Sequence, residues 1–141
     1  MIRSVLAALM LPSVACAGGL TVADATIPLA PPGAMAHAAY FTLTNEGGTD
    51  RELIGVAADG YAVVHLHRSE EKDGTATMSA VDLIRLAPGQ SVTFAPGGLH
   101  VMLMRPEAAL HAGDIVTLTL EFANGERLSV SATVMARDNG S

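Results

Sequence analysis

Short runs of alternating apolar and polar residues, separated by turn residues, make up the chain from Gly18 onward. The runs are rich in Val, Thr, Leu and Ile, and Gly, Pro, Asn or Asp interrupts them about every eight to twelve residues. Since alternate residues of a strand face opposite sides, this pattern predicts an all-β sandwich or barrel. No stretch long enough for several helical turns shows the helical period. The predicted strands span residues 20–26, 37–45, 52–57, 62–68, 76–80, 83–86, 91–94, 100–105, 115–121 and 128–135.

Two dipeptides between these runs predict tight hairpins. Asn124-Gly125 lies between two alternating runs and is the strongest hairpin signal in the chain, because both residues tolerate the positive φ angles of a tight turn. Asp73-Gly74 has the same character and joins the strands predicted at residues 62–68 and 76–80.

The first 17 residues differ from the rest of the chain. They combine an early cation, Arg3, with an apolar run at residues 5–11 and small residues around Cys16. These features predict a secretory signal peptide over residues 1–17, a single domain over residues 18–141 and a periplasmic location. The apolar run is shorter than the ~20 residues of a membrane helix, and no later segment reaches that length. No transmembrane segment is therefore expected in the mature chain.

Cys16 allows a second interpretation of the N-terminus. Small residues precede it, as in bacterial lipoproteins, where such a cysteine is acylated. Ser13 stands where these signals usually carry Leu, so cleavage after Ala17 is favoured. That cleavage removes the only cysteine of the chain, and the mature domain then has no disulfide and no thiolate.

The charge of the chain excludes one class of partners. Fourteen Asp and Glu against eight Lys and Arg give a formal net charge of −6. No basic stripe is present to meet phosphates, so the sequence predicts no binding to nucleic acid. The acidic surface gives no reason to expect an assembly, and a monomer is predicted.

Two predicted strands carry imidazole and thioether side chains at every second position. In the strand at residues 62–68, the alternation puts Val64 and Leu66 in the core, and in the strand at 100–105 it does the same for Val101 and Leu103. The donor side chains on the opposite faces are His65, His67, His100, Met102 and Met104.

Methionine is unusual at an outward position of a sandwich strand, which indicates a metal site. Imidazole together with thioether, and without thiolate, favours Cu(I) over zinc and over harder ions. His37 and His111 stand alone on their segments and are expected to have no ligand role. Met35, Met135 and Met104 are expected to fill gaps in the packing.

Four residues stand at separations that resemble one known family. Ten residues separate His67 from Met78, 21 separate Met78 from His100, and one separates His100 from Met102. This reproduces the H-x10-M-x21-H-x-M motif of the periplasmic copper chaperones called PCuAC proteins. The resemblance extends roughly over residues 20–134 and includes residues 38–45, 66–67, 86–89 and 96–104.

The resemblance to PCuAC proteins implies a cupredoxin-like Greek-key β-sandwich that binds one Cu(I). It implies the ligands His67, Met78, His100 and Met102, with the predicted hairpin bringing Met78 over the other three. It further implies a carrier rather than an enzyme, which delivers copper to a cuproenzyme, with the copper centre of cytochrome c oxidase as the expected acceptor. A subunit of that oxidase or a Sco-type thiol protein is therefore the expected partner.

The chain also departs from the family in two places. Many PCuAC proteins carry a Trp after the first strand, and residues 24–27 here contain none. Some carry a His- and Met-rich C-terminal extension that adds a Cu(II) site, whereas this sequence ends in Arg137-Asp-Asn-Gly-Ser141. We therefore expect a single principal copper site, with His65 and Met104 as neighbours outside the motif.

Other functions stay open on the residues alone. An electron-transfer blue-copper protein needs a cysteine thiolate, which the mature chain lacks. A zinc site would use His65, His67 and His100 with an open position for water. A metal-free secreted sandwich that binds a protein or a sugar would need neither Met78 nor Met102.

Overall fold

The structure, a computed structural model, describes residues 15–136. In this range the chain forms eleven β-strands and no helix. The strands are β1 (Ala15–Ala17), β2 (Leu20–Pro28), β3 (Ala36–Asn45), β4 (Arg51–Ala58), β5 (Tyr61–Lys72), β6 (Thr75–Ala80), β7 (Ile84–Leu86), β8 (Ser91–Thr93), β9 (Leu99–Pro106), β10 (Ile115–Phe122) and β11 (Arg127–Met135).

The predicted signal peptide lies outside the described residues, except for its last three. These three form β1, which pairs with the beginning of β2. The division into residues 1–17 and 18–141 therefore stays a prediction. No helix in the described part of the chain is long and apolar enough to cross a membrane.

All ten predicted strands are present, with ends shifted by a few residues. β5 differs most, because it continues past Arg68 to Lys72. Lys72 lies opposite Thr75 at the mouth of the turn, so pairing with β6 keeps the exposed residues Glu70 and Glu71 in strand conformation. The apolar pattern alone did not predict this extension, since these residues bury no apolar surface.

The strands form one hydrogen-bonded path in the order β6-β5-β9-β3-β2-β11-β10-β4-β7, with β1 beside β2 and β8 beside β3. β2 and β11 are parallel, and the other neighbours are antiparallel. β3 belongs to both halves of the path: its first part pairs with β9 and its second part with β2. The path ends at β6 and β7, so the sheet is open rather than a closed barrel.

One apolar cluster joins the two halves of the path. Leu66 of β5 and Leu103 of β9 belong to the same buried cluster as Leu53 of β4 and Leu118 of β10. Each fully buried side chain of this size stabilises the fold by about 1.5–3 kcal/mol. Because the core packs against one face of β5 and β9, the side chains on the other face of this strand pair are available for binding.

β2 bends in the segment where many PCuAC proteins carry Trp. Asp24 has a φ of 58°, and the register of β2 with β3 shifts between Ala23 and Thr26. A bulge of this kind changes the direction of the side chains that follow it. Ile27, which follows the bulge, has no exposed surface. An aliphatic side chain therefore fills the core in this segment.

Both predicted hairpins are confirmed. Asp73 and Gly74 have φ angles of 54° and 76°, which is the conformation of a tight turn that matches the twist of β5 and β6. At the other hairpin, Gly125 has a φ of 90°, and the backbone N–H of Glu126 donates to Oδ1 of Asn124. The first hairpin is the one that carries Met78.

Candidate metal centre

β5 and β9 run antiparallel and bring histidines from two distant segments side by side. His67 lies directly opposite His100, and His65 lies directly opposite Met102. The intervening Val101 points into the core and has no exposed surface. The expected division into two faces is therefore confirmed. The outer face, here called the donor face, carries His65, His67, His100, Met102 and Met104.

Met78 reaches the donor face from β6. It lies opposite Ser69 in the register of β5 and β6, and its Sδ is 3.1 Å from Nδ1 of His67. The side chain is 53% exposed, and β6 is at one end of the sheet. The hairpin thus places this thioether over His67, as expected, in a position open to a partner.

His100 is the buried member of the group, with 5% of its surface exposed. Its Nδ1 lies 3.2 Å from the carbonyl oxygen of Gly98, so Nδ1–H donates there and Nε2 carries the lone pair. Nε2 is buried and has no hydrogen-bond partner within the described residues. A buried polar atom without a partner costs about 1–3 kcal/mol. Imidazoles that ligate metals commonly donate their other N–H to a carbonyl in this way.

Gly98 is the functional residue that sequence reasoning missed. In the sequence, Pro96-Gly97-Gly98 is one of the interruptions between predicted strands, and the pattern indicates no role for it in a site. In the structure Gly97 has a φ of 84°, and the N–H of Gly98 donates to the carbonyl of Ala95. This tight turn holds the Gly98 carbonyl beside the ring of the residue two positions later. A Gly-Gly pair separated by one residue from the candidate ligand His100 is the signal that could have indicated it.

The ring of His67 lies between two other imidazoles. It meets His100 edge-on, with centroids 5.7 Å apart, and stacks on His65 at 5.9 Å with 9° between the planes. Burial lowers the pKa of His67 from 6.5, and the charges that His100 and His65 carry when protonated lower it further. A lowered pKa keeps the ring neutral to lower pH, and only a neutral imidazole binds a metal ion.

The four predicted ligands are not equally close to one another. The structure brings His67, Met78 and His100 together, whereas Met102 is half-buried on the same face, two residues along β9 from His100. Met104 follows after another two residues, opposite Val63. The donor face therefore continues beyond the four residues of the motif.

The two histidines expected to have no ligand role lie elsewhere. His37 is opposite Leu103 and so points away from the donor face, and its Nδ1 is 2.9 Å from the hydroxyl of Tyr61. His111 is exposed in the loop between β9 and β10, with Nδ1 3.7 Å from a carboxylate oxygen of Asp114. A cavity of about 290 Å³ next to His37 contains none of the four predicted ligands.

The turn beyond Met78 is acidic. Glu70, Glu71 and Asp73 are exposed, and within the described residues none of them forms an ion pair. Negative charge here attracts cations over a distance that salt limits to about 10 Å at 0.1 M ionic strength.

The zinc alternative finds no assembled site in the part of the chain that the structure describes. No three His, Cys, Asp or Glu side chains there are placed together to hold a metal ion. His65 stacks parallel to His67, with ring centroids 5.9 Å apart. The third donor beside the two facing histidines is the sulfur of Met78, a soft ligand that suits Cu(I) better than zinc.

Comparison with known proteins places the chain in a family. The family model described as "Putative lipoprotein LpqE-like" matches residues 20–134, which include all four predicted ligands. The chain belongs to the LpqE-like family. A relative of this LpqE-like protein in Leifsonia xyli subsp. xyli, described as "Putative lipoprotein", is 32% identical over 119 residues, which are 84% of this chain and 70% of the relative.

Solved structures similar to this LpqE-like protein are PCuAC domains. The Cu(I) form of DR1885 from Deinococcus radiodurans is 34% identical, covers 79% of this chain and 75% of its own, and has a TM-score of 0.64. The copper-bound PCuAC domain from PmoF2 has a TM-score of 0.74 over 88% of this chain and 98% of its own, and at 24% identity it supports the fold alone. The LpqE-like family is the PCuAC family. The resemblance and the cupredoxin-like all-β fold are therefore confirmed.

Proposed function

We propose that this LpqE-like protein is a copper chaperone that binds one Cu(I) through His67, Met78, His100 and Met102. The observation that carries the proposal is Nε2 of His100, a buried nitrogen without a hydrogen-bond partner among the described residues. Its ring is oriented by the Gly98 carbonyl and faces the ring of His67. Such a nitrogen is costly in the free protein and becomes satisfied when it binds a metal ion.

The donor set suits an ion that must be released again. Imidazole and thioether are neutral, soft ligands, and they favour Cu(I) without the strong charge pairing of a thiolate. Copper then moves favourably to an acceptor rich in cysteine. The similarity to DR1885, whose structure is described with Cu(I), supports copper as the cargo. In this proposal the protein is a carrier and not an enzyme, and copper is what it carries.

The accessibility of the site supports transfer to another protein. Met78 is 53% exposed on β6, at the end of the sheet, so an acceptor can approach it without unfolding the core. Replacement of Met78 by an acceptor ligand is the simplest first step, because His100 is buried and leaves last. We propose a copper-accepting subunit of cytochrome c oxidase or a Sco-type thiol protein as the acceptor.

We propose that the chaperone acts in the periplasm, after export directed by residues 1–17. The Leifsonia relative is described as a lipoprotein, which supports acylation of Cys16 as the alternative to cleavage after Ala17. The mass of the protein isolated after export distinguishes the two: a chain that begins at Gly18 supports cleavage, and a lipid-modified chain that begins at Cys16 supports anchoring.

An anaerobic titration with Cu(I) against a chromophoric competitor tests the ligand set. The wild-type protein is compared with Met78→Leu and Met102→Leu, and zinc is titrated in parallel. Loss of one ligand is expected to weaken binding by at least about tenfold. Met135→Leu is the matched control, because Met135 is 48% exposed on β11, away from the donor face.

Each outcome of this titration separates the candidate functions. One-to-one Cu(I) binding that weakens in both variants, and not in Met135→Leu, supports the chaperone. Cu(I) binding that neither substitution changes contradicts the ligand assignment. A preference for zinc over Cu(I) favours the site of His65, His67 and His100, and no binding of either metal favours a metal-free binding module.

A further inference from the structure

The donor face holds more metal-binding side chains than the proposed site uses. Pairs of directly opposed residues on β5 and β9, here called rungs, follow one another as His67 with His100, His65 with Met102, and Val63 with Met104. Successive rungs on one face are two residues apart, which is about 6.6–6.8 Å. His65 therefore lies directly across from Met102 on β5, and Met104 lies one rung further along β9 on the same face.

The surroundings of the two methionines leave their sulfur atoms room to move. On the side away from β5, β3 places Ala38 opposite Met102 and Ala36 opposite Met104. Small side chains of this kind do not enclose a neighbouring thioether, and methionine has three rotatable bonds with which to re-aim its sulfur. Both methionines are half-buried, so each sulfur can turn towards the surface without exposing the core.

His65 completes the set from the other strand. It lies directly opposite Met102, is exposed, and stacks parallel to His67 at 5.9 Å. One imidazole and two thioethers are thus available one rung from the proposed site, and Met102 belongs to both groups.

Met104 does not fill the core, which is the role expected for it from the sequence. The same expectation is wrong for Met35 and Met135, which are 69% and 48% exposed. The core side of β9 is occupied by Val101 and Leu103, neither of which has any exposed surface. Met104 lies on the opposite face and contributes nothing to the buried apolar cluster. Its direct neighbours across the sheet are Val63 and Ala36, and the nearest donor along β9 is Met102.

We propose that His65, Met102 and Met104 form a second, weaker Cu(I) position on the donor face. This inference rests on the proposed function, because the second position takes the same ion as the first. Copper binding at the second position is weaker because His65 is exposed. The second position also has no buried nitrogen without a hydrogen-bond partner, such as Nε2 of His100. The chain keeps one principal copper site, with a subsidiary position beside it.

Shared use of Met102 defines how copper passes between the two positions. Cu(I) stays bound to Met102 while its bonds to the two histidines and Met78 break and new bonds to His65 and Met104 form. The oxidation state does not change, and no proton moves, since neutral imidazole is the ligand at both positions. The second position thereby offers copper an exit along the surface that does not require the Met78 hairpin to open.

Anaerobic titration of the full chain with Cu(I), followed by NMR of the methionine methyl groups, tests the inference. The first equivalent is expected to shift the signals of Met78 and Met102. Met102 stays with that copper, so the second equivalent binds His65 and Met104 and is expected to shift the signal of Met104. His65→Ala and Met104→Leu are each expected to weaken binding of the second equivalent at least about tenfold while leaving the first within about twofold. His111→Ala and Met135→Leu are the matched controls, because both side chains are exposed and lie off the donor face.

The possible results distinguish this inference from the proposed function. If the first equivalent binds and shifts Met78, but the signal of Met104 never moves, the second position is wrong and the chaperone stands. If a second equivalent binds equally well in His65→Ala and Met104→Leu, the inference is also wrong, because that copper is held elsewhere. If not even the first equivalent binds, the proposed function fails, and the second position fails with it.

Discussion

At the scale of single residues, His100 is a candidate ligand that adds little to the stability of the copper-free protein. Its Nδ1–H donates to the carbonyl oxygen of Gly98, while Nε2 is buried without a hydrogen-bond partner in the described part of the chain. The unsatisfied nitrogen destabilises the folded state by about 1–3 kcal/mol, and one hydrogen bond stabilises it by about 0.5–1.5 kcal/mol, so the two effects are comparable. The free protein therefore gains little or nothing from having a histidine here.

Replacing His100 with Leu is expected to separate these two roles. Leucine removes the unsatisfied nitrogen together with the bond to Gly98, so the free energy of unfolding of the copper-free protein should stay within about 1 kcal/mol of wild type. Cu(I) affinity should fall at least about tenfold. Urea unfolding without copper and a competition titration measure the two quantities.

His37→Leu is the control for this substitution. His37 is also buried, but its Nδ1 is bonded to the hydroxyl of Tyr61, and its side chain points away from the donor face. Losing that partner should cost about 1 kcal/mol of stability without changing Cu(I) affinity. If His100→Leu instead unfolds the protein more than His37→Leu does, His100 is a structural residue.

The stability of the copper-free protein should depend on pH through two histidines. Burial lowers the pKa of His37, and burial together with the neighbouring imidazoles lowers that of His67. An unfolded histidine takes up its proton near pH 6.5, before the folded one does. The unfolded state then binds more protons, so stability is fully present above about pH 6.5 and falls as the pH decreases towards the folded pKa values.

Urea midpoints at pH 7.5, 6.5 and 5.5 measure this dependence. In His37→Leu the decrease below pH 6.5 should be smaller, because one of the two groups is gone. A midpoint that is unchanged in wild type between pH 7.5 and 5.5 would contradict the lowered pKa values.

At the scale of elements, the hairpin of β5 and β6 places the sulfur of Met78 beside the two facing histidines. β6 is exposed along its whole length, so packing against the core does not hold it. Its place depends on its ladder with β5 and on the turn at Asp73 and Gly74, both at positive φ. The turn thus helps to position the candidate ligand Met78, although it touches no candidate ligand.

Gly74→Ala is expected to loosen this hairpin. A Cβ there meets no atom within 4 Å, so the penalty comes from the positive φ of 76° alone and amounts to about 1–2 kcal/mol. Because β6 has no core contact to hold it, Met78 should lose its position, and Cu(I) affinity should fall. Amide exchange of β6 and a Cu(I) titration measure the two effects.

Gly125→Ala provides the comparison. Gly125 has a φ of 90° and equally open surroundings, but it lies in the hairpin of β10 and β11, far along the sheet from β6. It should cost similar stability and leave Cu(I) affinity unchanged. Equal losses of affinity in the two variants would show that general destabilisation, and not the position of Met78, governs binding.

At the scale of the whole molecule, the donor face exists only in the folded chain. The candidate ligands come from β5, β6 and β9. β9 lies between β5 and β3 in the sheet, and the apolar core packs against the opposite face of these strands. An unfolded chain presents the same side chains without this arrangement. A ligand that binds only the folded state stabilises it by mass action.

Cu(I) is therefore expected to raise the apparent stability of the protein. At a free concentration one hundred times the dissociation constant, the increase is about 2.7 kcal/mol. Urea unfolding under anaerobic conditions, with and without Cu(I), measures it. Met102→Leu should show a smaller increase at the same copper concentration, and an increase that Met102→Leu and Met78→Leu leave unaltered would place the bound copper elsewhere.

The alternation of apolar residues determined the strands, and the turn residues determined both hairpins, because these are local properties of neighbouring side chains. The motif separations indicated the family, and the family model and the similar structures confirm it. Tertiary structure alone decided three things: the continuation of β5 to Lys72, the bond between His100 and Gly98, and the rungs that align His65 with Met102. The continuation of β5 depends on its pairing with β6 across the Asp73-Gly74 turn, and the bond of His100 depends on the turn that ends at Gly98, so the apolar pattern shows neither. The rungs depend on pairing between distant segments, which is set by the register of the folded sheet rather than by any one stretch of sequence.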